Sequence, residues 1–374
     1  MSLTHRERVQ LALSRRQPDR TPVDMMGNAS MLLDNTYLRL RDHLGLTPIA
    51  PVRSGSSAKY YDERILEHFG VDFRRVFLAK GSAAANTVHE DDTFTDPWGV
   101  RSRAIGIFIN AIDHPLRHAA TLDDVEAYAW PTAEGLYSAD GVREAAYHLY
   151  HDTDYAVVAR NPLSPGFLDR GCNLVGMAEF FMLLLDAPEV ADFMLDRILE
   201  IYMGVYRMFL EAAGPYVQMV EVADDLGAER STLISPAMYR RFIKPREQQL
   251  YAMIHELAPE AFIIHHTDGN VFAIIPDLIE VGVNVLNPMQ TSSRDMGAQQ
   301  VKDAYGDRLA FHGAVEGMEG DKDALVAEVK ARIDVLGKGG GYVLASCNHM
   351  IDVAPENIVA MFETAVNYRP WQRT

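Results

Sequence analysis

The sequence predicts an α/β fold of the (β/α)8 barrel class, and two observations predict it. The first is a repeated unit, a short apolar run that stops at polar residues and gives way to a helical pattern. Val217 to Val222 stops at Asp224 and Asp225, and Ala261 to Ile264 stops at His265, His266 and Asp268. Val283 to Leu286 stops at Asn287, Leu309 to Phe311 at His312 and Gly313, and Gly341 to Ala345 at Ser346 and Cys347. Runs of this length alternating with helical segments imply parallel strands joined by helical crossovers. The second observation is that the chemistry-bearing side chains sit at the carboxyl ends of these runs, the face on which such a barrel keeps its active site. At 374 residues the chain is long enough for one barrel of about 250 residues with additions, read as 1–150 elaboration and first strands, and 151–374 main barrel units.

Taken in order, Thr4-His-Arg-Glu7 is a capping box that opens a helix to about Ser14, and Gln17 to Pro22 is a turn. Val23 to Met26 is the expected first strand. Leucine spacing predicts helices at Asn35 to Leu44 and Tyr60 to Phe69, and Val71 to Val76 reads as a strand. From Thr87 to Ile109 the pattern alternates and is broken by Asp96-Pro-Trp-Gly99, which predicts an inserted antiparallel hairpin. A helix at Gly141 to His151 leads to a strand at Tyr155 to Ala159, whose end carries Arg160 and Asn161 ahead of a Pro/Gly loop to Arg170. Helices are expected at Leu174 to Leu185 and Pro188 to Ala212, the second with proline in its first turn, where a missing donor does no harm. Gly337 to Gly341 precedes its strand, so it belongs to the opposite end of the barrel and reads as a turn.

Composition narrows the function classes. The hydrophobic fraction of 48% is ordinary for a globular protein, and no run approaches the roughly 18 apolar residues of a membrane span. A formal net charge of −17 disfavours nucleic acid and anionic membrane as partners, since basic patches bind both. The charged start, Met-Ser-Leu-Thr-His-Arg-Glu-Arg, lacks the apolar centre of a signal peptide, and two cysteines cannot make a disulfide framework, so the expectation is a cytoplasmic protein.

The candidate chemistry follows from the strand ends. His266 and Asp268 are two residues apart, so in extended chain their side chains point the same way, whereas His265 has the opposite parity and packs behind the barrel. With Cys347 they would form an N/O/S set with a fourth position open, the arrangement of catalytic zinc. The bland alternative is a hydrogen-bonded loop, and for Cys347 a small buried hydrophobe. Asp224 and Asp225 could share a proton or a cation, because crowded like charges raise one pKa; equally, one could cap the helix after Ser235 or hold Arg230 in a surface pair. His312 is a candidate general acid or a packed histidine. Seventeen methionines is a high count, and Met25, Met26 and Met31 could line an adaptable apolar pocket, even for a flat tetrapyrrole, although core packing is the commoner use. Asn28, Arg160 and Asn287 complete the candidate substrate contacts.

Several segments together carry a family resemblance. They are Val23-Asp-Met25, Gly70-Val-Asp-Phe-Arg74, Asp96-Pro-Trp-Gly99, Trp130-Pro131, Asp224-Asp-Leu-Gly227, the stretch from Leu233 to Pro245 with Ser235-Pro236, Tyr239 and Lys244-Pro245, His266-Thr-Asp-Gly-Asn270 and Ala354-Pro-Glu-Asn-Ile358. Nearly end to end, the chain resembles the uroporphyrinogen decarboxylase superfamily. That resemblance implies a (β/α)8 barrel and one of two chemistries: cofactor-free decarboxylation of a porphyrinogen, or zinc-dependent methyl transfer with a corrinoid (cobalamin) protein as partner. Decarboxylases have an N-terminal Arg-Gln-Ala-Gly-Arg-Tyr segment that holds the substrate's propionates. Here the place reads Asp24-Met-Met-Gly-Asn-Ala-Ser30, without arginine, and carboxylates buried unpaired are very costly.

The methyltransferase branch uses His-x-Cys and a distant cysteine for zinc. This chain matches at His266 and Cys347 but has Asp268 at the first cysteine, a harder donor than a thiolate. The resemblance thus implies a methyltransferase acting on a small methyl donor or acceptor, with Asp224 or Asp225 orienting substrate or moving its proton, and it allows a homodimer. The alternatives are decarboxylation of a tetrapyrrole or other carboxylate without metal, and a non-catalytic barrel that binds a corrinoid or a partner protein.

Overall fold

Seven parallel strands follow one another around the sheet in chain order in the computed structural model, which describes residues 3–52, 57–106, 108–163 and 165–372. They are β1 (Phe73–Val76), β2 (Ala156–Ala159), β3 (Met219–Ala223), β4 (Phe262–His266), β5 (Val285–Asn287), β6 (Ala310–Val315) and β7 (Tyr342–Ser346). These are the strands expected from the apolar runs. Residue 107 of the expected hairpin and residue 164 of the loop before Arg170 lie outside the described residues.

The expected strand at Val23 to Met26 contracts to a single position. Val23 forms a parallel bridge with Leu344 of β7, supported by Asp24 N donating to Leu344 O at 3.0 Å and Leu344 N to Pro22 O at 2.9 Å. On its other side Asp72 N donates to Val23 O at 3.0 Å, and Val23 N to the Asp72 carboxylate at 2.8 Å. The segment therefore fills the gap between β7 and β1. It ends early because Met26 adopts φ 73°, a left-handed turn in which its amide bonds Ser30 O.

The helix α1 (His5–Leu13) begins at the expected capping box of Thr4 and Glu7. From it His5 and Arg8, joined by Arg20, bond the buried Asp72 at 2.7 to 2.8 Å and so anchor the closing segment. Val9 and Leu13 of α1 pack with Phe73, Ala156, Val158, Met219, Ile264, Val285, Ala310 and Val343, which form the apolar interior of the barrel. Gly341 N donates to Ala12 O, so the Gly337 to Gly341 turn sits at this amino-terminal end, as its place before β7 predicts.

Outside the barrel, α2 (Phe167–Val175), α3 (Pro188–Ala213) and α4 (Lys244–Leu257) bury apolar faces against the outward side chains of the strands. The expected helix from Leu174 to Leu185 is instead two, α2 and Met177–Asp186, because Gly176 takes φ 103° between them. The expected hairpin region is a four-stranded antiparallel sheet, Thr87–Val88, Thr93–Thr95, Arg101–Ile105 and Phe108–Asp113. Its Asp96-Pro-Trp-Gly turn is held by the Asp96 carboxylate, which accepts from Trp98 N and Val100 N at 2.9 Å each. No helix among the described residues is long and apolar enough to cross a membrane.

Candidate active site

Side chains alternate along a strand, so the residue two beyond an inward apolar one also points inward. Above Phe73 comes Arg75, above Val158 comes Arg160, and above Met219 comes Glu221. Above Ile264, Val285 and Ala310 come His266, Asn287 and His312. A polar layer thus rests directly on the apolar one, at the carboxyl end of the barrel.

Its members are joined in one run of hydrogen bonds. His266 Nδ1 lies 2.8 Å from Asn287 Oδ1, and Asn287 Nδ2 lies 2.7 Å from His312 Nδ1. His312 Nε2 lies 2.9 Å from Asp24 Oδ2. Arg75 donates to Asp24 at 3.0 Å and to Glu221 at 3.1 Å, and Arg160 donates to the other oxygen of Glu221 at 2.8 Å and to Asn28. Burial alone would raise the Asp24 carboxyl, but Arg75 and the His312 bond outweigh it and hold it well below the usual carboxylate range.

At the mouth, β3 and β4 are neighbours in register, with Ala223 opposite His266. That adjacency sets Asp225, His266 and Asp268 together, with one ligand atom from each within 4.8 Å of the others. His266 Nε2 is 3.6 Å from Asp225 Oδ1, and Asp268 N donates to the same oxygen at 3.1 Å. Asp268 Oδ1 is buried without a hydrogen-bond partner, a costly state that a cation would relieve. Burial, opposed by His266 and reinforced by Asp225, raises the Asp268 carboxyl. Nearby, burial and then Asp225 push the Asp169 carboxyl up to about 7. Asp268 also lines a cavity of about 330 Å³ with Gly227, Gly269, Gln290, Ser292 and Ser293.

The two adjacent aspartates after β3 part company. Asp225 faces His266, whereas Asp224 is fully buried and accepts from Leu168 N at 2.6 Å and Asp169 N at 3.1 Å at the start of α2. This close approach depends on Gly166, where a Cβ would come within 2.1 Å of Ala223 O and 2.4 Å of Asp224 Cβ. The helix expected to be capped, the one after Ser235, is capped by Ser235 itself, and Asp224 bonds the first turn of α2 instead. Burial, with Asp169 next, keeps its carboxyl raised.

Cys347 follows β7 and is fully buried, its amide donating to Val315 O at 2.7 Å and its thiol pushed up by burial. It is not one of the Asp225, His266 and Asp268 group, although Asp268 is near enough to add to the rise of its thiol. Met25 and Met26 are 1% and 3% exposed within the core, while Asn28 accepts from Arg160. His265 packs behind the barrel as its parity predicts, its Nδ1 2.9 Å from the hydroxyl of Tyr251 on α4. Sequence reasoning did not single out Arg75, Glu221 or Asp169. The two-residue period of β1 and β3 would have put the first two inside the barrel; for Asp169, on a helix, there is no such signal.

The sequence matches the family described as "Uroporphyrinogen decarboxylase (URO-D)" over residues 111–368. None of the curated proteins matches it. Among solved structures it is similar to a methyltransferase from Methanosarcina mazei, at 19% identity and a TM-score of 0.65, covering 98% of this chain and 99% of that one. At that identity the likeness speaks for the fold alone. A xylanase 10B from Thermotoga maritima is more distant, with 11% identity, coverage of 62% and 80%, and a TM-score of 0.37. So is a glycoside hydrolase family 5 enzyme from Prevotella bryantii, with 7% identity, coverage of 98% and 99%, and a TM-score of 0.44.

Proposed function

The chain belongs to the uroporphyrinogen decarboxylase family, and from that premise we propose that it is a cytoplasmic methyltransferase that moves a methyl group to or from a corrinoid protein, with zinc at the barrel mouth. The observation that carries the metal is the meeting of Asp225, His266 and Asp268 at adjacent strand ends, with a buried oxygen of Asp268 lacking any partner. His266, Asp268 and Asp225 would hold the ion, with the Cys347 thiol standing outside that cluster. Bound there, zinc would supply Lewis acidity that lowers the pKa of a thiol or hydroxyl in its open position.

The remaining residues have roles of their own. Asn287 orients the His266 ring from behind, as partners of metal-ligating histidines do. Asp169, a half-buried carboxyl beside Asp225 and His266, would take up the proton that such a substrate group releases. Arg75 and Arg160, the arginines of the polar floor among the described residues, each already serve an acid there. That pairing is the ground for ranking methyl transfer above decarboxylation of a polycarboxylate.

The test has two arms. Elemental analysis of purified protein should find close to one zinc per chain, largely lost in His266→Ala. Methyl transfer between methylcobalamin and a thiol should then depend on that zinc. A protein free of metal after growth and purification with zinc, and unable to take it up, rules the proposal out and leaves the decarboxylase and the non-catalytic binding barrel to be separated by turnover of a carboxylated substrate.

A further inference from the structure

The hydrogen-bond run that ends on His266 starts at a charge that stays put. Arg75 is fully buried and bonds both oxygens of Asp24, which keeps that carboxylate ionised and so able only to accept. His312 Nε2, 2.9 Å from Asp24 Oδ2, must therefore carry a proton. In the neutral ring, Nδ1 is then the acceptor, and it takes the amide proton of Asn287 Nδ2 at 2.7 Å. The other end of that amide, Oδ1, faces His266 Nδ1 at 2.8 Å and takes its proton. Nε2 of His266 is left as a bare lone pair, 3.6 Å from Asp225 Oδ1, with room for a cation between them.

We propose that Asp24 is a positioning residue which, through His312 and Asn287, fixes the tautomer of His266 and leaves its Nε2 as the lone-pair donor at the barrel mouth. The use of that lone pair rests on the metal-site reading above, whereas the tautomer does not. Asp24 stands far from His266 in the chain, and the link runs across the barrel floor, so a change at one end should be read at the other.

Asp24→Asn gives the discriminating case. Oδ1 of Asp24 accepts from Arg75 Nη1 and from Met25 N, whereas Oδ2 faces Arg75 Nη2 and His312 Nε2. An amide nitrogen in the place of Oδ1 would meet two fixed donors, but in the place of Oδ2 only one, so the side-chain amide of this variant turns its NH2 toward His312. His312 then accepts at Nε2 and donates at Nδ1, Asn287 turns over, and His266 Nδ1 becomes the acceptor. The proton moves to His266 Nε2. Adding Asn287→Asp restores an acceptor for both rings and returns the His266 proton to Nδ1.

The experiment is 15N NMR of the imidazole nitrogens in the full, zinc-free chain with labelled histidine, His266 being assigned by its loss in His266→Gln. The parent should show His266 protonated on Nδ1. Asp24→Asn should shift the tautomer ratio toward Nε2–H by about fivefold or more, the weight of one net hydrogen bond. The double variant Asp24→Asn/Asn287→Asp should bring it back. Parent protein with the proton on His266 Nε2, a doubly protonated His312, or an unchanged ratio in folded Asp24→Asn each overturns the proposal. Titration with zinc alone should show Asp24→Asn binding about fivefold more weakly than the parent. Parent protein that binds no zinc but shows the tautomer pattern overturns the metal-site reading and leaves the tautomer relay standing.

Discussion

Arg75 meets Asp24 through two contacts, at 3.0 and 2.5 Å, with both side chains wholly removed from solvent. The same guanidinium reaches Glu221 at 3.1 Å, and Arg160 covers the remaining oxygen of Glu221 at 2.8 Å. Two cations and two anions therefore neutralise one another on the barrel floor, and the bonds among them orient the residues that reach the mouth.

Removing one member leaves the others buried and uncompensated. Arg75→Met should destabilise the chain by about 3–5 kcal/mol, the cost of breaking a buried ion pair from one side. Chemical denaturation measures it. A loss below about 1 kcal/mol would mean that water reaches the acids and that the floor is wetter than the geometry states.

Among the described residues, a substrate with many carboxylates would find no unpaired arginine on that floor. The N-terminal segment from Asp24 to Ser30 lacks arginine, and the arginines that the fold brings to it, Arg75 and Arg160, are already engaged. The protein should therefore neither bind uroporphyrinogen tightly nor decarboxylate it. Coproporphyrinogen formed in an anaerobic assay would reverse the order of the two chemistries.

The ligand set is separable by substitution. Asp225→Ala and Asp268→Ala should each lose most of the zinc held against a chelator, as His266→Ala does, while Cys347→Ala loses less because its thiol stands outside the cluster. Asp268→Cys should hold zinc more firmly, since a thiolate gives a soft metal more electron density than a carboxylate does. Undiminished zinc in Asp268→Ala would remove Asp268 from the set.

Behind the barrel, Glu247 is fully buried and accepts from Tyr239 at 2.5 Å, and burial pushes its carboxyl up to about 7. A raised folded-state pKa means that the unfolded chain gives up this proton first, near the ordinary value of 4.5. Stability from this group is thus fully present below pH about 4.5 and is lost as pH rises through about 7, a term on the order of 3 kcal/mol. Glu247→Gln should remove that slope, gaining stability over the parent at pH 8 relative to pH 5. Parallel stability curves for the two proteins between those pH values would refute the assignment.

Much of this was legible in one dimension. Seven strands, the capping box at Thr4 and Glu7, and the inward parity of His266 against the outward parity of His265 all follow from local periodicity, because side-chain direction in a strand depends only on counting by two. The same count would have put Arg75 and Glu221 inside the barrel beside His312. What counting cannot supply is which strand lies next to which, and at what register. Only the register of the curled sheet sets the end of β3 against that of β4 and so groups Asp225, not Cys347, with His266 and Asp268. Only tertiary packing turns Asp224 away to the amides of α2 while its neighbour faces the mouth. Charge pairing is decided there too: Arg75, Asp24 and Glu221 lie far apart in the chain, and a buried charge takes whichever opposite charge the fold sets within reach.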